Sequence, residues 1–245
     1  MRSEEDTYWW YVALRSLVVM YARPILKNLK KPRVLDAGCG TGGNLEVMRD
    51  HFSETALFGV DIDPQAVEFS KQRSIAEIQQ ASVEALPFRN ELFDLVVSLD
   101  VLYFKDLDDK KAIVEFTRVL KAGGYLIMNL PAFKFLRGQH DVAVSTARRY
   151  TKKDVKQLVM SADLTIIKST YWNMIFSPVL LLWRPLSLLF TRKRETAQSD
   201  LKRLPFFLNQ ILKWAALSEA WLTRRLSLPF GSSIFIVARK NGARV

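Results

Sequence analysis

The sequence predicts an α/β fold, a mostly parallel seven-stranded sheet flanked by helices, on three observations. Short apolar runs alternate with stretches of helical period from residue 33 to 171, the pattern of a parallel sheet wrapped by crossover helices. The first run, Val34-Leu35-Asp36-Ala37, closes on Gly38-Cys39-Gly40-Thr41-Gly42-Gly43, where a strand would turn into a helix and glycine permits a positive-φ turn close to a ligand. The next run, Leu57-Phe58-Gly59-Val60, ends on Asp61, nineteen residues after Gly42.

Strands are expected at 33–37, 56–60, 76–81, 93–98 and 124–130, with a sixth at 164–171 and a seventh at 233–239. Helices are expected at 43–52, 64–74, 108–120 and 151–162, after an apolar helix near the N-terminus. Asp63 before Pro64 reads as a helix start with proline at the first helical position. Thr151 followed by Asp154 reads as a capping box with Asp in place of Glu. At 245 residues and 49% apolar content, the chain can bury one full core with decoration.

The glycine loop and the acid at the end of the second strand point to a cofactor that contains a nucleoside. The helix beginning near Gly42 would aim free N–H groups at it, and Asp61 could accept from both ribose hydroxyls. Gly38-x-Gly40-x-x-Gly43 also satisfies the dinucleotide fingerprint. Asp36 argues against that reading, because a carboxylate two residues before the first glycine would repel a pyrophosphate. A ligand carrying a sulfonium and an ammonium would be attracted instead.

Further motifs follow in order: Ser82-Val83-Glu84-Ala85-Leu86-Pro87-Phe88, then Phe93-Asp94-Leu95-Val96-Val97-Ser98-Leu99-Asp100, then Arg118-Val119-Leu120-Lys121-Ala122-Gly123-Gly124-Tyr125-Leu126-Ile127-Met128. With these the chain resembles the class I S-adenosylmethionine-dependent methyltransferases, in their small-molecule branch, over residues 32 to about 131. The resemblance implies a Rossmann-like sheet and S-adenosyl-L-methionine as cofactor. It implies that Asp36, Gly38, Gly40 and Gly42 line the methionine end, that Asp61 holds the ribose, and that Ile62 packs on the adenine. Ser82 stands at the adenine edge where many relatives carry an aspartate, and Val83 could offer a backbone N–H there. Ser98 and Leu99 would lie under the reacting methyl group.

On the acceptor side, His140 follows the exit of the fifth strand and has the natural pKa for a base. Arg148 and Arg149 could bind a carboxylate or phosphate bidentately, beside Tyr150. Tyr103, and Trp9 and Trp10 of the cluster Tyr8-Trp9-Trp10-Tyr11, could line an aromatic pocket. His51, at the end of the first core helix, reads as a cap on its carbonyls. The single cysteine, Cys39, excludes an internal disulfide and a multi-cysteine zinc site, and no metal is expected.

The chain departs from the resembling family between strands six and seven, where a short hairpin connection is replaced by residues 173–232. That insertion holds nine basic residues against three acidic ones (Glu195, Asp200, Glu219), within a chain of net charge +11. Its apolar run Ser177–Phe190 contains Arg184 and two prolines and is too short to cross a bilayer, which takes about 20 residues. From Leu204, Phe207, Leu208, Ile211, Leu212 and Ala215 recur at helical spacing, so this stretch predicts an amphipathic helix. Three roles stay open for the insertion: a lid over the substrate, a lid that also contacts an anionic membrane, or a contact with protein or nucleic acid.

The organisation expected is therefore a helical cap at 1–31, a cofactor-binding core at 32–172, a helical insertion or lid at 173–232, and the closing strand and tail at 233–245. The function expected is methyl transfer to a lipophilic small molecule, such as a quinone precursor, a polyketide or a lipid-linked intermediate. The alternatives are methylation of RNA or protein, and a protein that binds the cofactor without turnover. Nucleic acid is disfavoured because Ser98-Leu99-Asp100-Val101 lacks the Asn/Asp-Pro-Pro-Tyr/Phe pattern of amine methylators, and because the basic residues are interleaved with aliphatics. The acidic start Met1-Arg2-Ser3-Glu4-Glu5-Asp6 lacks the basic region of a signal peptide. A cytoplasmic location follows, with a peripheral position on the inner face of the membrane as its extension. The acceptor, its reacting atom and the oligomeric state are left open.

Overall fold

The computed structural model describes residues 7–136, 147–177 and 205–242. These form one seven-stranded sheet with six α-helices among the described residues. In chain order the elements are α1 (Trp9–Leu26), β1 (Arg33–Ala37), α2 (Gly43–His51), β2 (Ala56–Asp61), α3 (Pro64–Lys71), β3 (Glu77–Gln80) and β4 (Phe93–Leu99). They continue with α4 (Asp109–Val119), β5 (Leu120–Pro131), α5 (Lys152–Met160), β6 (Leu164–Trp172), α6 (Phe206–Thr223) and β7 (Ser233–Lys240).

The strand order is β3-β2-β1-β4-β5-β7-β6. The first five strands are parallel, while β7 enters antiparallel between β5 and β6. The mostly parallel Rossmann-like sheet expected from the alternation is thus the one observed. Alternate residues along the strands feed two cores. Leu35, Val96, Leu126, Met128, Ile234 and Ile236 face α4 and α5. Val34, Val97, Ile127, Phe235 and Val237 face α1, α2 and α6. Strands apolar on both faces, rather than alternating, are what a sheet covered on both sides requires.

Local chemistry accounts for the helix ends. The Asp63 carboxylate accepts from Gln65 N at 2.8 Å ahead of Pro64. Asp108 accepts from the N–H groups of Lys110 and Lys111, so the expected helix at 108 begins one residue later, with Asp108 as its cap. Both halves of the Thr151–Asp154 capping box are present. His51 Nδ1 lies 2.9 Å from Val47 O, as a C-terminal cap. The helix expected to reach 74 stops at Lys71. Beyond it Arg73 is drawn away to bind Thr41 O and Glu46, and Ser74 adopts a positive φ.

Helix α1 has no side-chain cap of its own. Its cap comes from α6, two hundred residues away: Asn209 Oδ1 accepts from Trp9 N at 3.0 Å, and Asn209 Nδ2 donates to Thr7 O at 2.9 Å. Further along, the Tyr21 hydroxyl donates to Thr223 O at 2.9 Å, so the two helices run parallel. Asn209→Ala should cost about 1 kcal/mol, read as a lower denaturation midpoint with unchanged far-ultraviolet dichroism. An unchanged midpoint would mean that water replaces the cap at no cost.

Candidate active site

The C-terminal ends of β1, β2 and β4 meet at the glycine loop. Gly38 N and Cys39 N both donate to Val60 O, at 2.8 and 2.9 Å, which folds the loop back over β2. Gly38, Gly40 and Gly42 all have positive φ. At Gly38 space adds to the requirement, since a Cβ there would collide with the Val101 side chain. Gly42 is the N-cap of α2 and provides no side-chain cap, so the first N–H groups of that helix stay available to a ligand.

Asp36 is buried at the end of β1, where its Oδ2 accepts from Asn44 Nδ2 at 3.2 Å. Burial pushes its carboxyl up to about 7, against the bond from Asn44, with the Asp61 charge raising it further and the Arg15 charge of α1 lowering it. The other side-chain atom of Asn44, Oδ1, is buried with no hydrogen-bond partner. An unpaired buried acceptor therefore lies beside a buried carboxylate at the loop, a setting for a cationic group and against a phosphate.

Asp61 is held by backbone: Oδ2 accepts from Gly40 N at 2.8 Å and Oδ1 from Asp63 N at 3.0 Å. Each oxygen keeps a lone pair for a diol. Ile62 stands beside it, a large apolar side chain with 70% of its surface exposed. The Ser82 hydroxyl accepts from Glu84 N at 3.2 Å, and Val83 is buried. Ser98, on β4, is buried with its hydroxyl unpaired, next to half-buried Leu99. The orphaned Asn44 and Ser98 atoms, the aimed Asp61 and the uncovered Ile62 fit a sulfonium nucleoside with an amino-acid tail.

Three further residues belong to this end of the sheet and were not singled out from sequence. Asn44 and Arg15 surround Asp36 as described. The third, Asp100, follows β4 with a positive φ of 57°, a strained conformation for a side chain other than glycine. Its Oδ2 accepts from Asn129 Nδ2 at 2.9 Å. Asn129 Oδ1 in turn accepts from the indole of Trp172 at 2.6 Å. Burial raises the Asp100 carboxyl to about 7, against the Asn129 bond and the Arg149 charge. No spacing rule marks such a residue. The signal was only that an acid ends a buried strand.

The acceptor-side residues are placed as follows. Trp9 is buried against Phe176, with ring centroids 4.6 Å apart, and Trp10 stacks on Trp172 at 6.0 Å. Both rings thus pack on the core shared by α1, β6 and α6. Tyr103 O accepts from the N–H groups of Ala147 and Arg148. Arg148 Nη1 donates to Phe104 O and Leu107 O at 2.9 and 2.6 Å. Arg149 is buried and donates to Ala132 O at 2.7 Å. The Tyr150 hydroxyl lies 2.8 Å from Leu102 O and 3.0 Å from Asp109 Oδ2, and burial first, then Asp109, push it above the usual tyrosine range. Segment 147–150 therefore clamps the loop after β4 to the exit of β5. His140 lies outside the described residues, as does 178–204 of the insertion.

A family model described as a methyltransferase domain matches residues 35–128, the segment that carries the loop, Asp61 and β4. Among curated proteins, the phthiotriol/phenolphthiotriol dimycocerosates methyltransferase of Mycobacterium leprae (strain TN) is 25% identical over 152 residues, 60% of this chain and 56% of that protein. The malonyl-[acyl-carrier protein] O-methyltransferase of Enterobacter lignolyticus (strain SCF1) is 42% identical over 97 residues, 38% of this chain and 37% of that protein. A Mus musculus protein named "Probable tRNA methyltransferase 9B" is 30% identical over 154 residues, 62% of this chain and 31% of that one. The chain thus spans 56% or less of the length of these relatives.

Among solved structures, the geranyl diphosphate C-methyltransferase of Streptomyces coelicolor A3(2) superposes with a TM-score of 0.59 at 16% identity, over 92% of this chain and 77% of that one. The [4+2]-cyclase SpnF superposes with a TM-score of 0.58 at 16% identity, over 92% and 80%. These two likenesses concern the fold alone, and the second shows that the fold also serves a reaction other than methyl transfer. The matched segment and its ordered motifs say more: residues 35–128 match a methyltransferase domain, and there the chain is similar to the class I S-adenosylmethionine-dependent methyltransferases.

Proposed function

We propose that this protein transfers a methyl group from S-adenosylmethionine to a lipophilic small molecule met at an anionic membrane surface. The observation that carries the cofactor half is the buried Asp36 carboxyl beside the unpaired Asn44 Oδ1, at a glycine loop. In this reading they hold the ammonium of the methionine end, with Gly38, Gly40 and Gly42 giving close backbone approach. Asp61 takes the ribose, Ile62 covers the adenine, Ser82 and Val83 border its edge, and Ser98 and Leu99 floor the reacting end. The bound cofactor would supply an electrophilic methyl group on sulfur, so placement of the acceptor does most of the remaining work.

In this reading Asp100, at the exit of β4 and held by Asn129, takes a proton from an acceptor hydroxyl, since a carboxyl near 7 is partly ionised at neutral pH and still basic enough to receive it. His140 is a second candidate for that role or for orienting the acceptor. Arg148, Arg149 and Tyr150 act in this reading by fixing the loop carrying Tyr103. Trp9 and Trp10 act through the core that holds Trp172.

Two things support a lipophilic acceptor. Phe133 stacks nearly parallel on Tyr171, Phe230 and Phe135 at 4.8–5.1 Å just beyond β5, and Phe135 is 64% exposed. The names of relatives include a dimycocerosate and a fatty-acid methyltransferase. In the same reading, residues 1–31 cap a core made of 32–172 and 233–245, and 173–232 cover the acceptor. No helix among the described residues is long and apolar enough to cross a membrane.

A second reading, RNA methylation, is favoured by the mouse relative's name and the net charge of +11. Methyl-labelled cofactor and a lysate of source cells lacking this protein separate the two. Label is expected in the organic extract, and Asp100→Asn should retain cofactor binding while lowering that incorporation roughly 100-fold. Label in RNA or protein would replace the lipophilic reading. Tight cofactor binding with no label in any fraction would favour a binder without turnover.

A further inference from the structure

Helix α6 buries one face and leaves the opposite one bare. Asn209, Leu212, Ala216, Glu219, Ala220 and Thr223 turn toward α1 and the end of β6, through the bonds to Trp9 and Tyr21 and through apolar packing. On the other side Phe207, Ile211, Trp214, Ser218, Trp221 and Arg225 follow one another at spacings of four and three residues, which aligns them along the helix. Phe207 is 74%, Trp214 67% and Trp221 50% exposed. The line runs for about 27 Å, the length of an 18-residue helix. Aromatic side chains in such an array cost solubility in a water-facing helix and mark a surface that meets another apolar phase.

Charge says which phase. The one carboxylate of α6, Glu219, is turned inward, where it accepts from Met174 N and Ile175 N at 2.8 and 3.0 Å. The outward side therefore carries no negative group, and Lys213, Arg224 and Arg225 flank it. Among the described residues neither Arg224 nor Arg225 forms an ion pair, and Arg225 sits over the Trp221 ring at 4.7 Å. Tryptophan with neighbouring basic groups suits the headgroup level of a bilayer, where the ring is buried and the guanidinium meets phosphate. A second copy of a chain with net charge +11 would instead bring two basic stripes together.

We propose that the outward stripe of α6 is the element that seats this protein on an anionic bilayer, lying flat with Phe207, Ile211, Trp214 and Trp221 in the interface. This deepens the membrane part of the reading above and does not depend on methyl transfer. The inner face of α6 stays docked on α1, so the folded domain is held at the lipid surface with the helix as its contact.

The test is partition of the full chain onto vesicles of phosphatidylcholine alone or of equimolar phosphatidylcholine and phosphatidylglycerol at low salt. The expected result is preference for the anionic vesicles, with a blue shift of tryptophan emission. The variant F207Q/W214Q/W221Q should lose about tenfold or more of that partition, and R224S/R225S should lose the preference for anionic lipid. Cofactor binding and the denaturation midpoint serve as controls for folding, because the stripe touches neither site nor core. Anionic binding that survives the triple variant would overturn the assignment to α6. So would a wild-type chain that stays off anionic vesicles. A variant-sensitive self-association without lipid would assign the stripe to a second copy, and buried Trp214 emission before lipid is added would assign it to a segment of the same chain. The labelling assay fails separately: label in the organic fraction without vesicle binding would retain the lipophilic acceptor and remove the seat.

Discussion

Asp36→Asn should weaken S-adenosylmethionine binding by about 2–3 kcal/mol, roughly a hundredfold, as measured by titration calorimetry. The substitution keeps the size of the side chain and its bond to Asn44 while removing the charge that an ammonium would pair with. It also fixes the sign of two pH effects. Burial raises the Asp36 carboxyl to about 7 in the folded protein, whereas an unfolded chain releases that proton near pH 4. Between those values the folded state holds the extra proton. The group's contribution to stability therefore falls as pH rises from about 4 to about 7. Cofactor affinity moves the other way, rising with pH until the carboxylate is fully ionised and then levelling. Asp36→Asn should flatten both slopes and leave the unliganded protein at least as stable at neutral pH, since the desolvation cost of a buried carboxylate is gone. Wild-type affinity in the variant would show that the ammonium is bound elsewhere.

Trp172→Ala should cost about 3–5 kcal/mol of folding stability in urea denaturation, a large share of the roughly 5–15 kcal/mol a domain possesses. Trp172 is fully buried at the end of β6, packs on Trp10, and donates to Asn129. Gly231 lies so close that a Cβ would meet the Trp172 carbonyl, so the surrounding chain has little room to rearrange around the indole. Trp172→Phe separates the causes. It retains much of the volume, leaves Asn129 Oδ1 without its donor, and should cost about 1–3 kcal/mol. Because Asn129 also holds Asp100, the Phe variant should lower turnover more than cofactor affinity. A loss below about 1 kcal/mol in the Ala variant would mean that this core closes without the indole.

The inner strands were legible because they are apolar on both faces and end at glycine, proline or an acid, and the edge strand β6 because its side chains alternate. β1, β2, β4, β6 and β7 start and end within a residue or two of the expectation. β5 differs in starting at Leu120 rather than 124, because Leu120 pairs with Phe93 before a register shift, and a turn hides that pairing from any alternation. The glycine loop and Asp61 were legible since their demands are local. Asn44, Arg15 and Asp100 were not, because what distinguishes them is a partner from another element: Asp36 for the first two, Asn129 for the third.

The same limit applies to Arg148 and Arg149, where sequence shows two cations in a row and nothing of the carbonyls of Phe104, Leu107 and Ala132 that receive them. In α6 the helical spacing was visible, but helical period alone does not tell which apolar face is covered. That was decided by α1, about two hundred residues away.

The position of β7 has a consequence for biosynthesis. It is made after both β5 and β6, yet it lies between them, paired along its length with each. Until residues 233–240 leave the ribosome, β5 and β6 have no hydrogen-bonding partner on their facing edges, and α1 lacks the capping Asn209 almost as long. Pairings of such long sequence separation form late and slowly, so the nascent chain carries an uncapped apolar helix through most of its synthesis and two open strand edges through its last part. A cut in the connection ahead of β7 would, for the same reason, split the finished sheet in its interior rather than trim its margin.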